Sequence, residues 1–287
     1  MISILKETMF GFISGINKKM IPFNRVDIQG NELSYIKSAI DRGHLSGDSK
    51  YTEKCNNYFE SKIGVQKSLL TTSCTHALEM SAILLGISKG DEVILPAYTF
   101  VSTVNAFVIR GAKPIFADIR NDTLNIDESK IESLISEKTK AIIIVHYAGV
   151  ACQMDVIMGV SKKYNIPIIE DNAHGLFGKY KDKYLGTFGT FSTQSFHETK
   201  NFSCGEGGAL FLNNELYIER AEIIREKGTD RSKFFRGQID KYSWVDIGSS
   251  YVPSEILAAF LFAQLEKQEQ IQKKRREIWN FYNHNLR

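Results

Sequence analysis

The chain has 287 residues, 43% hydrophobic and 24% charged, which is enough to bury one large core or two smaller ones. Its 36 basic and 33 acidic residues give a net charge of +3 and are mixed along the sequence, which argues against a nucleic-acid partner. The four cysteines form no CxxC pair, and no histidine stands at metal-ligand spacing from them. We therefore expect no disulfide framework, no metal and a cytoplasmic location.

Residues 1–19 carry apolar side chains, but Lys6 and Glu7 interrupt them. They therefore lack the continuous apolar stretch of a secretory signal or a transmembrane helix. We expect a poorly ordered N-terminal extension. The alternative is a short helix that lies on the protein or on a membrane surface.

A cluster of hydroxyl residues opens an amphipathic helix in the sequence TTSCTHALEMSAILL, residues 71–85. Unpaired backbone N–H groups and the helix dipole make such a helix start an anion site. N-capping would explain one hydroxyl, whereas Thr72, Ser73 and Thr75 together favour phosphate binding.

From Glu92 onward, short β-rich runs alternate with helical stretches, which predicts an α/β fold with a mostly parallel sheet. The runs are EVILP, PIFAD, AIIIVHY, IPIIED, FGTFSTQSF and GALFL. Ligands bind beyond the carboxyl ends of such strands, so the residues that follow them are the candidates: Pro96 to Phe100, Asp118, His146, Asp171 and Ser195 to Lys200.

Phe100 follows one of these strands in PAYTFVSTVNA, where its ring could cover a flat heterocycle. An aromatic residue at such a position could equally belong to the core. The sequence alone leaves both interpretations open.

The segment IIEDNAHG, residues 168–175, places Asp171 at the end of a buried strand. Such an aspartate could cap a helix, or its carboxylate could pair with the pyridine nitrogen of pyridoxal phosphate. His174 would lie near the cofactor ring if it shares that face, and is otherwise a core histidine.

The segment SFHETKNFSCGEGG, residues 195–208, places Lys200 between an apolar strand and a glycine-rich turn. A lysine is usually a solvated surface charge, because burying its ammonium group is costly. Gly205, Gly207 and Gly208 favour tight turns and close approach to a ligand, which makes Lys200 a catalytic candidate.

These motifs resemble the DegT and StrS type of sugar-nucleotide aminotransferases, which have the fold of type I pyridoxal-phosphate enzymes, similar to that of aspartate aminotransferase. The resemblance runs from Ile21 to the end of the chain. It rests on IPFNR, GHLSGD, PAYTFVSTVNAFV, HYAGVACQMD, SFHETKN, REKGT and RSKFFRGQIDKYSW.

The resemblance implies a role for each candidate. Lys200 would hold the cofactor covalently and move a proton as acid and base. Asp171 would pair with the pyridine nitrogen, His174 would lie by the ring, and Phe100 would stack on it. Ser73, Cys74 and Ser195 would hold the phosphate, and Ser250 would reach it from the partner subunit of a homodimer.

The implied reaction takes the amino group from L-glutamate and gives it to a 4-keto-6-deoxy sugar nucleotide. Within the family the motifs are most similar to members that serve enterobacterial common antigen synthesis. That similarity implies dTDP-4-dehydro-6-deoxy-D-glucose as substrate and dTDP-4-amino-4,6-dideoxy-D-galactose as product. The alternatives are a relative that acts on another keto sugar nucleotide and an inactive cofactor-binding remnant.

The resemblance also implies a domain organisation, with a cofactor-binding large domain at residues 20–253. Residues 254–287 would form the helical start of a C-terminal region, with most of the smaller C-terminal domain missing. We expect a truncated reading frame, with exposed apolar surface along Leu257, Phe260 and Leu261.

Overall fold

The computed structural model describes residues 21–28 and 30–286. The extension predicted at residues 1–19 lies outside the described residues. None of the helices in the described part of the chain is both long and apolar enough to cross a membrane.

Seven strands form one mixed sheet in the order β1-β9-β8-β5-β4-β2-β3. They are β1 (Lys67–Thr71), β2 (Glu92–Pro96), β3 (Lys113–Ala117), β4 (Thr139–Val145), β5 (Ile168–Asp171), β8 (Phe191–Ser195) and β9 (Gly208–Leu212), and β6 (Lys179–Tyr180) and β7 (Lys183–Tyr184) form a separate hairpin. Strands β3, β2, β4, β5 and β8 are parallel, whereas β9 and β1 are antiparallel to their neighbours. The predicted α/β fold with a mostly parallel sheet is confirmed.

Helices cover both faces of the sheet. They are α1 (Glu32–Asp41), α2 (Lys50–Ile63), α3 (Cys74–Leu84), α4 (Val101–Val108), α5 (Glu128–Leu134), α6 (Met154–Tyr164), α7 (Ile218–Arg225), α8 (Arg231–Phe235), α9 (Glu255–Glu266) and α10 (Gln268–Asn285). Single 3-10 turns lie at Tyr147–Gly149 and Glu215–Tyr217.

The central strands explain why the sequence alternates apolar strands with helices. Ile143 faces the core formed with α3, α4 and α7, while Ile142 and Ile144 face the core formed with α5 and α6. Because both faces are covered, such a strand is apolar at every position, as the sequence predicted.

Helix α9 packs on α1 and α2 and closes the core at the β1 end of the sheet. Glu255 in its first turn is buried and accepts hydrogen bonds from the backbone N–H groups of Tyr51 and Thr52, which begin α2. A carboxylate at a helix N-terminus satisfies N–H groups that have no partner inside the helix. The predicted domain division at residue 254 stays a prediction.

The predicted apolar exposure along α9 is wrong. Leu261 is only 1% exposed, and Leu257 and Phe260 pack against the same core. The reason is that α1 and α2 already cover the apolar side of α9 within the described chain.

Candidate active site

A cavity of about 630 Å³ opens at the carboxyl ends of β2, β4, β5 and β8. A volume of this size suits a small-molecule cofactor together with part of a substrate. The cavity brings together seven of the eight predicted site residues: Ser73, Cys74, Phe100, Asp171, His174, Ser195 and Lys200. Ser250 is exposed and is not among the lining residues, and its predicted role in a second copy's site stays a prediction.

Lys200 lies on the loop that joins β8 to β9. The loop leaves β8 at Ser195 and is closed by backbone hydrogen bonds from Phe196 N–H to the Gly207 carbonyl and from Glu198 N–H to the Gly205 carbonyl. Gly205 has a φ of +87°, a backbone conformation that glycine adopts without steric cost. The predicted glycine-rich turn therefore carries Lys200 to the cavity wall.

The amine of Lys200 forms no hydrogen bond or ion pair within the described part of the chain. Its half-buried position lowers its pKa by desolvation, and the nearby Cys74 and Asp171 oppose this shift. A lower pKa leaves a larger fraction of the amine unprotonated and nucleophilic near neutral pH.

This shift predicts that Lys200 reacts with pyridoxal phosphate at lower pH than an ordinary lysine, whose pKa is 10.5. Only the unprotonated amine attacks the aldehyde, so attachment should rise with pH through a midpoint below 10.5. Attachment at each pH can be fixed with borohydride and measured by mass spectrometry, with N-acetyl-lysine as the reference amine. A midpoint at or above that of the reference would contradict the lowered pKa.

Asp171 ends β5 and is 5% exposed. Its carboxylate accepts hydrogen bonds from the Thr103 hydroxyl at 2.7 Å and from the Ala173 backbone N–H at 3.2 Å. It forms no salt bridge with a lysine, arginine or histidine among the described residues. A buried carboxylate on a cavity wall is therefore left with its charge available to a cationic group of a ligand.

Thr103 is a site residue that the sequence analysis missed. It lies in α4, is 1% exposed, and its hydroxyl also accepts a hydrogen bond from Thr99 at 2.7 Å. The chain Thr99–Thr103–Asp171 fixes the orientation of the carboxylate. The spacing of four residues between the two threonines, just after β2, was the available signal.

His174 lies on the cavity wall next to a pair of tyrosines. Its Nδ1 accepts a hydrogen bond from the Ala148 N–H at 3.2 Å, which leaves the proton of the neutral ring on Nε2. Desolvation and the charge of Lys200 lower its pKa, so the neutral ring is favoured.

The tyrosine pair is a second feature that the sequence did not reveal. The hydroxyl groups of Tyr98 and Tyr147 are 2.9 Å apart, and Tyr147 meets His174 edge to face. The hydrogen bond to Tyr98 raises the pKa of Tyr147. Tyr147 is therefore a neutral hydrogen-bonding group on the cavity wall.

The N-terminus of α3 forms another wall. Ser73 caps the helix by accepting a hydrogen bond from the His76 N–H, and the N–H groups of Cys74 and Thr75 lie in the first turn, where they have no intrahelical acceptor. Burial and the charge of Asp171 raise the pKa of the Cys74 thiol, so it is neutral. Thr72, in contrast, bonds the ring of His76 and is not a lining residue.

Gly208 allows β9 to approach this helix start. A Cβ atom at Gly208 would lie 2.3 Å from the Ser73 carbonyl carbon and 2.4 Å from the Cys74 nitrogen. Because these are backbone atoms, a larger residue must displace the helix start from the sheet.

We expect Gly208→Ala to lower the free energy of unfolding by about 1–3 kcal/mol through this overpacking. The matched control is Gly159→Ala in α6, where a Cβ meets nothing within 4 Å. That control should keep or raise stability, by up to about 1 kcal/mol, because alanine favours a helix over glycine. Urea unfolding measures both, and equal stability of the two variants would contradict the close approach at Gly208.

Phe100 stands at the mouth of the cavity and is 72% exposed. The alternative interpretation as a core residue is thereby ruled out. An exposed ring at the edge of a cavity is available to stack on a flat ligand.

Two other residues at strand ends do not line the cavity. Asp118 is not a lining residue, and His146 is fully buried. The Nε2 of His146 donates to Glu170 at 2.9 Å, and Glu170 also accepts backbone N–H groups from the 186–189 turn. This buried network shapes the sheet edge below the cavity.

Comparison with known proteins decides the family. Residues 26–287 match the profile of the DegT/DnrJ/EryC1/StrS aminotransferase family. The chain belongs to this family. It is 38% identical over 272 residues to GDP-perosamine synthase of Escherichia coli O157:H7, an alignment that covers 93% of this chain and 72% of the relative.

Solved structures of aminotransferases share the fold. A putative sugar aminotransferase of Streptococcus pneumoniae, solved in a PLP form, has a TM-score of 0.83 and 27% identity, covering 92% of this chain and 71% of that one. Helicobacter pylori PseC, an aminotransferase involved in the biosynthesis of pseudoaminic acid, has a TM-score of 0.85 and 28% identity, covering 93% and 70%. The aminotransferase fold predicted from the sequence is confirmed.

Proposed function

We propose that this aminotransferase moves an amino group from L-glutamate to the keto group of a 4-keto-6-deoxy sugar nucleotide. The observation that carries the proposal is the meeting of Lys200, Asp171 and the α3 N-terminus in one cavity. The cofactor is pyridoxal phosphate, as the family and the PLP form of the pneumococcal relative indicate.

The residues present fit this cofactor in three ways. The buried carboxylate of Asp171 lacks a cationic partner among the described residues, which suits a protonated pyridine nitrogen. The start of α3 offers free N–H groups and a neutral thiol, which suit a phosphate. Lys200 supplies an unpaired amine with a lowered pKa.

When bound, the cofactor withdraws electrons from the carbon next to the transferred nitrogen. Lys200 would hold the cofactor and, once released, accept a proton from the donor's α-carbon and deliver it again. Asp171, oriented by Thr103, would hold the proton on the pyridine nitrogen. Phe100 would cover the ring, with His174 beside it, and Ser73, Cys74 and Ser195 would hold the phosphate.

Two sugar nucleotides are candidates for the amino acceptor. The sequence motifs favour dTDP-4-dehydro-6-deoxy-D-glucose, which would give dTDP-4-amino-4,6-dideoxy-D-galactose. The similarity to GDP-perosamine synthase supports a GDP-linked acceptor instead. A homodimer, with Ser250 completing the second copy's site, is part of the same proposal.

Incubation with L-glutamate and each keto sugar nucleotide tests this function. Formation of 2-oxoglutarate and of an amino sugar nucleotide, detected by mass spectrometry, is the expected result. A tenfold or greater preference in kcat/KM would identify the nucleotide, since about 1.4 kcal/mol corresponds to tenfold. Cofactor turnover with L-glutamate but with neither sugar would reject the acceptor class.

A further inference from the structure

Two more cavities continue the active-site cavity past Lys200. The bridging cavity, about 450 Å³, shares Ala173, His174, Ser195, Thr199 and Lys200 with the active-site cavity. The basic cavity, about 560 Å³, shares Thr199, Lys200, Asn201 and Arg275 with the bridging cavity. Thr199 and Lys200 line all three, and these adjoining cavities are together called the groove.

The basic cavity carries an excess of positive charge. Its lining includes five basic and three acidic residues: Arg25, Lys200, Lys273, Lys274 and Arg275 against Asp27, Glu198 and Glu277. Glu277 is 4.0 Å from Lys274, so these two charges offset each other. Because Lys200 would hold the cofactor, Arg25, Lys273 and Arg275 remain against Asp27 and Glu198, and this excess of positive charge raises the affinity of the basic cavity for anions.

Arg275 stands where the basic and bridging cavities meet. Its guanidinium forms no hydrogen bond or ion pair with any other residue of the described chain, and the surrounding protein lowers its pKa by desolvation. An arginine stays charged and presents paired donors that match carboxylate or phosphate oxygens. The side chain of Arg275 is exposed and has no partner among the described residues, so its guanidinium is available to an anionic ligand.

The segment that carries Arg25 is held in place at both ends. The Asn24 side chain donates to the Glu198 carbonyl at 2.9 Å, on the same loop as Lys200. The Gln264 side chain donates to the Asp27 carbonyl at 2.9 Å, from α9. The segment thus lines the basic cavity together with residues of α10.

We propose, on the basis of the aminotransferase function above, that Arg275 and the basic cavity bind the diphosphate of the sugar nucleotide. The keto carbon would then lie beside Lys200, and the sugar would occupy the bridging cavity. Apolar side chains of Phe23, Leu176 and Phe202 line that cavity, which suits the carbon-rich face of a deoxy sugar. The α-carboxylate of L-glutamate, one bond from its reacting carbon, would stay nearer Lys200.

Binding of dTDP and of GDP to the cofactor-loaded chain, measured by calorimetry, tests the proposal without turnover. Arg275→Gln should weaken the binding of whichever nucleoside diphosphate binds more tightly by at least about tenfold. This is the loss expected for one charge-assisted hydrogen bond. The binding should also weaken as salt rises. Arg276→Gln is the control, because Arg276 is likewise exposed on the same helix but lines neither cavity.

The glutamate half-reaction separates this proposal from the proposed function. The diphosphate site is supported if L-glutamate still bleaches the cofactor in Arg275→Gln while nucleotide binding is weakened. The proposal would be overturned if Arg275→Gln left nucleotide binding unchanged, or if Arg276→Gln weakened it equally. It would also be overturned if the unmodified chain bound no nucleotide, or if Arg275→Gln raised only the KM for glutamate. Loss of the glutamate reaction in the unmodified chain would instead reject the proposed function.

Discussion

Replacing Lys200 with alanine is expected to abolish covalent attachment of pyridoxal phosphate and to slow amino transfer by at least about 10²-fold. Lys200 is the only lysine among the described residues that line the active-site cavity. Borohydride reduction followed by mass spectrometry measures the attachment. The rate of 2-oxoglutarate formation measures the transfer.

The variant should fold normally, because the side chain of Lys200 makes no hydrogen bond or ion pair within the described chain, and its backbone hydrogen bond to the His197 carbonyl does not need the side chain. Its free energy of unfolding should stay within about 0.5 kcal/mol of the unmodified chain. Lys138→Ala, a change at an exposed lysine away from the cavity, is the matched control and should leave both readouts unchanged. Cofactor attachment that persists in Lys200→Ala would show that another lysine holds the cofactor.

Replacing Asp171 with asparagine is expected to slow amino transfer by about 10²–10³-fold while Lys200 still attaches the cofactor. The amide has the same shape and can still accept the Thr103 hydrogen bond, but it carries no charge to hold a proton on the pyridine nitrogen. The substitution therefore separates the charge of the residue from its place in the packing. The measurement is the rate of the glutamate half-reaction, monitored through the absorbance of the cofactor.

Asp182→Asn is the control for this substitution, because Asp182 is exposed and lies outside the cavity. It should change neither rate nor attachment. Full activity of the Asp171→Asn variant would show that amino transfer does not need the charge of this carboxylate. If Asp171→Asn failed to attach the cofactor, the role of Asp171 would instead be to bind the cofactor.

Local sequence patterns predicted most of the sheet. The runs EVILP, AIIIVHY and GALFL became β2, β4 and β9, because a strand covered on both faces must be apolar throughout. Strand β1, Lys67–Thr71, was missed, since its pairing with β9 joins segments about 140 residues apart and leaves no local signal.

The sequence predicted those residues of the candidate site that stand directly after a strand within a local motif. Lys200, Asp171 and Phe100 were marked by their positions after strands, and all three line the cavity. The partner of Asp171, Thr103, and the Tyr98–Tyr147 pair depend on how α4 and the strand ends meet in space. Sequence spacing does not encode such contacts between distant segments.

The hydroxyl cluster before α3 shows the same limit. The sequence favoured phosphate binding for the whole cluster, yet Ser73 caps the helix and Thr72 bonds His76. Each hydroxyl finds a partner in the folded chain that the sequence does not specify. The free N–H groups of the helix start, rather than the hydroxyls alone, are the feature that suits a phosphate.

The most direct test of the account is the absorbance spectrum of the purified chain with pyridoxal phosphate, before and after L-glutamate, beside Lys200→Ala. We expect a band of lysine-bound cofactor that bleaches with glutamate as 2-oxoglutarate appears, and that the variant lacks. A folded chain that shows no such band, or a band that glutamate leaves unchanged, would contradict the assignment of Lys200 and its cavity as an aminotransferase site.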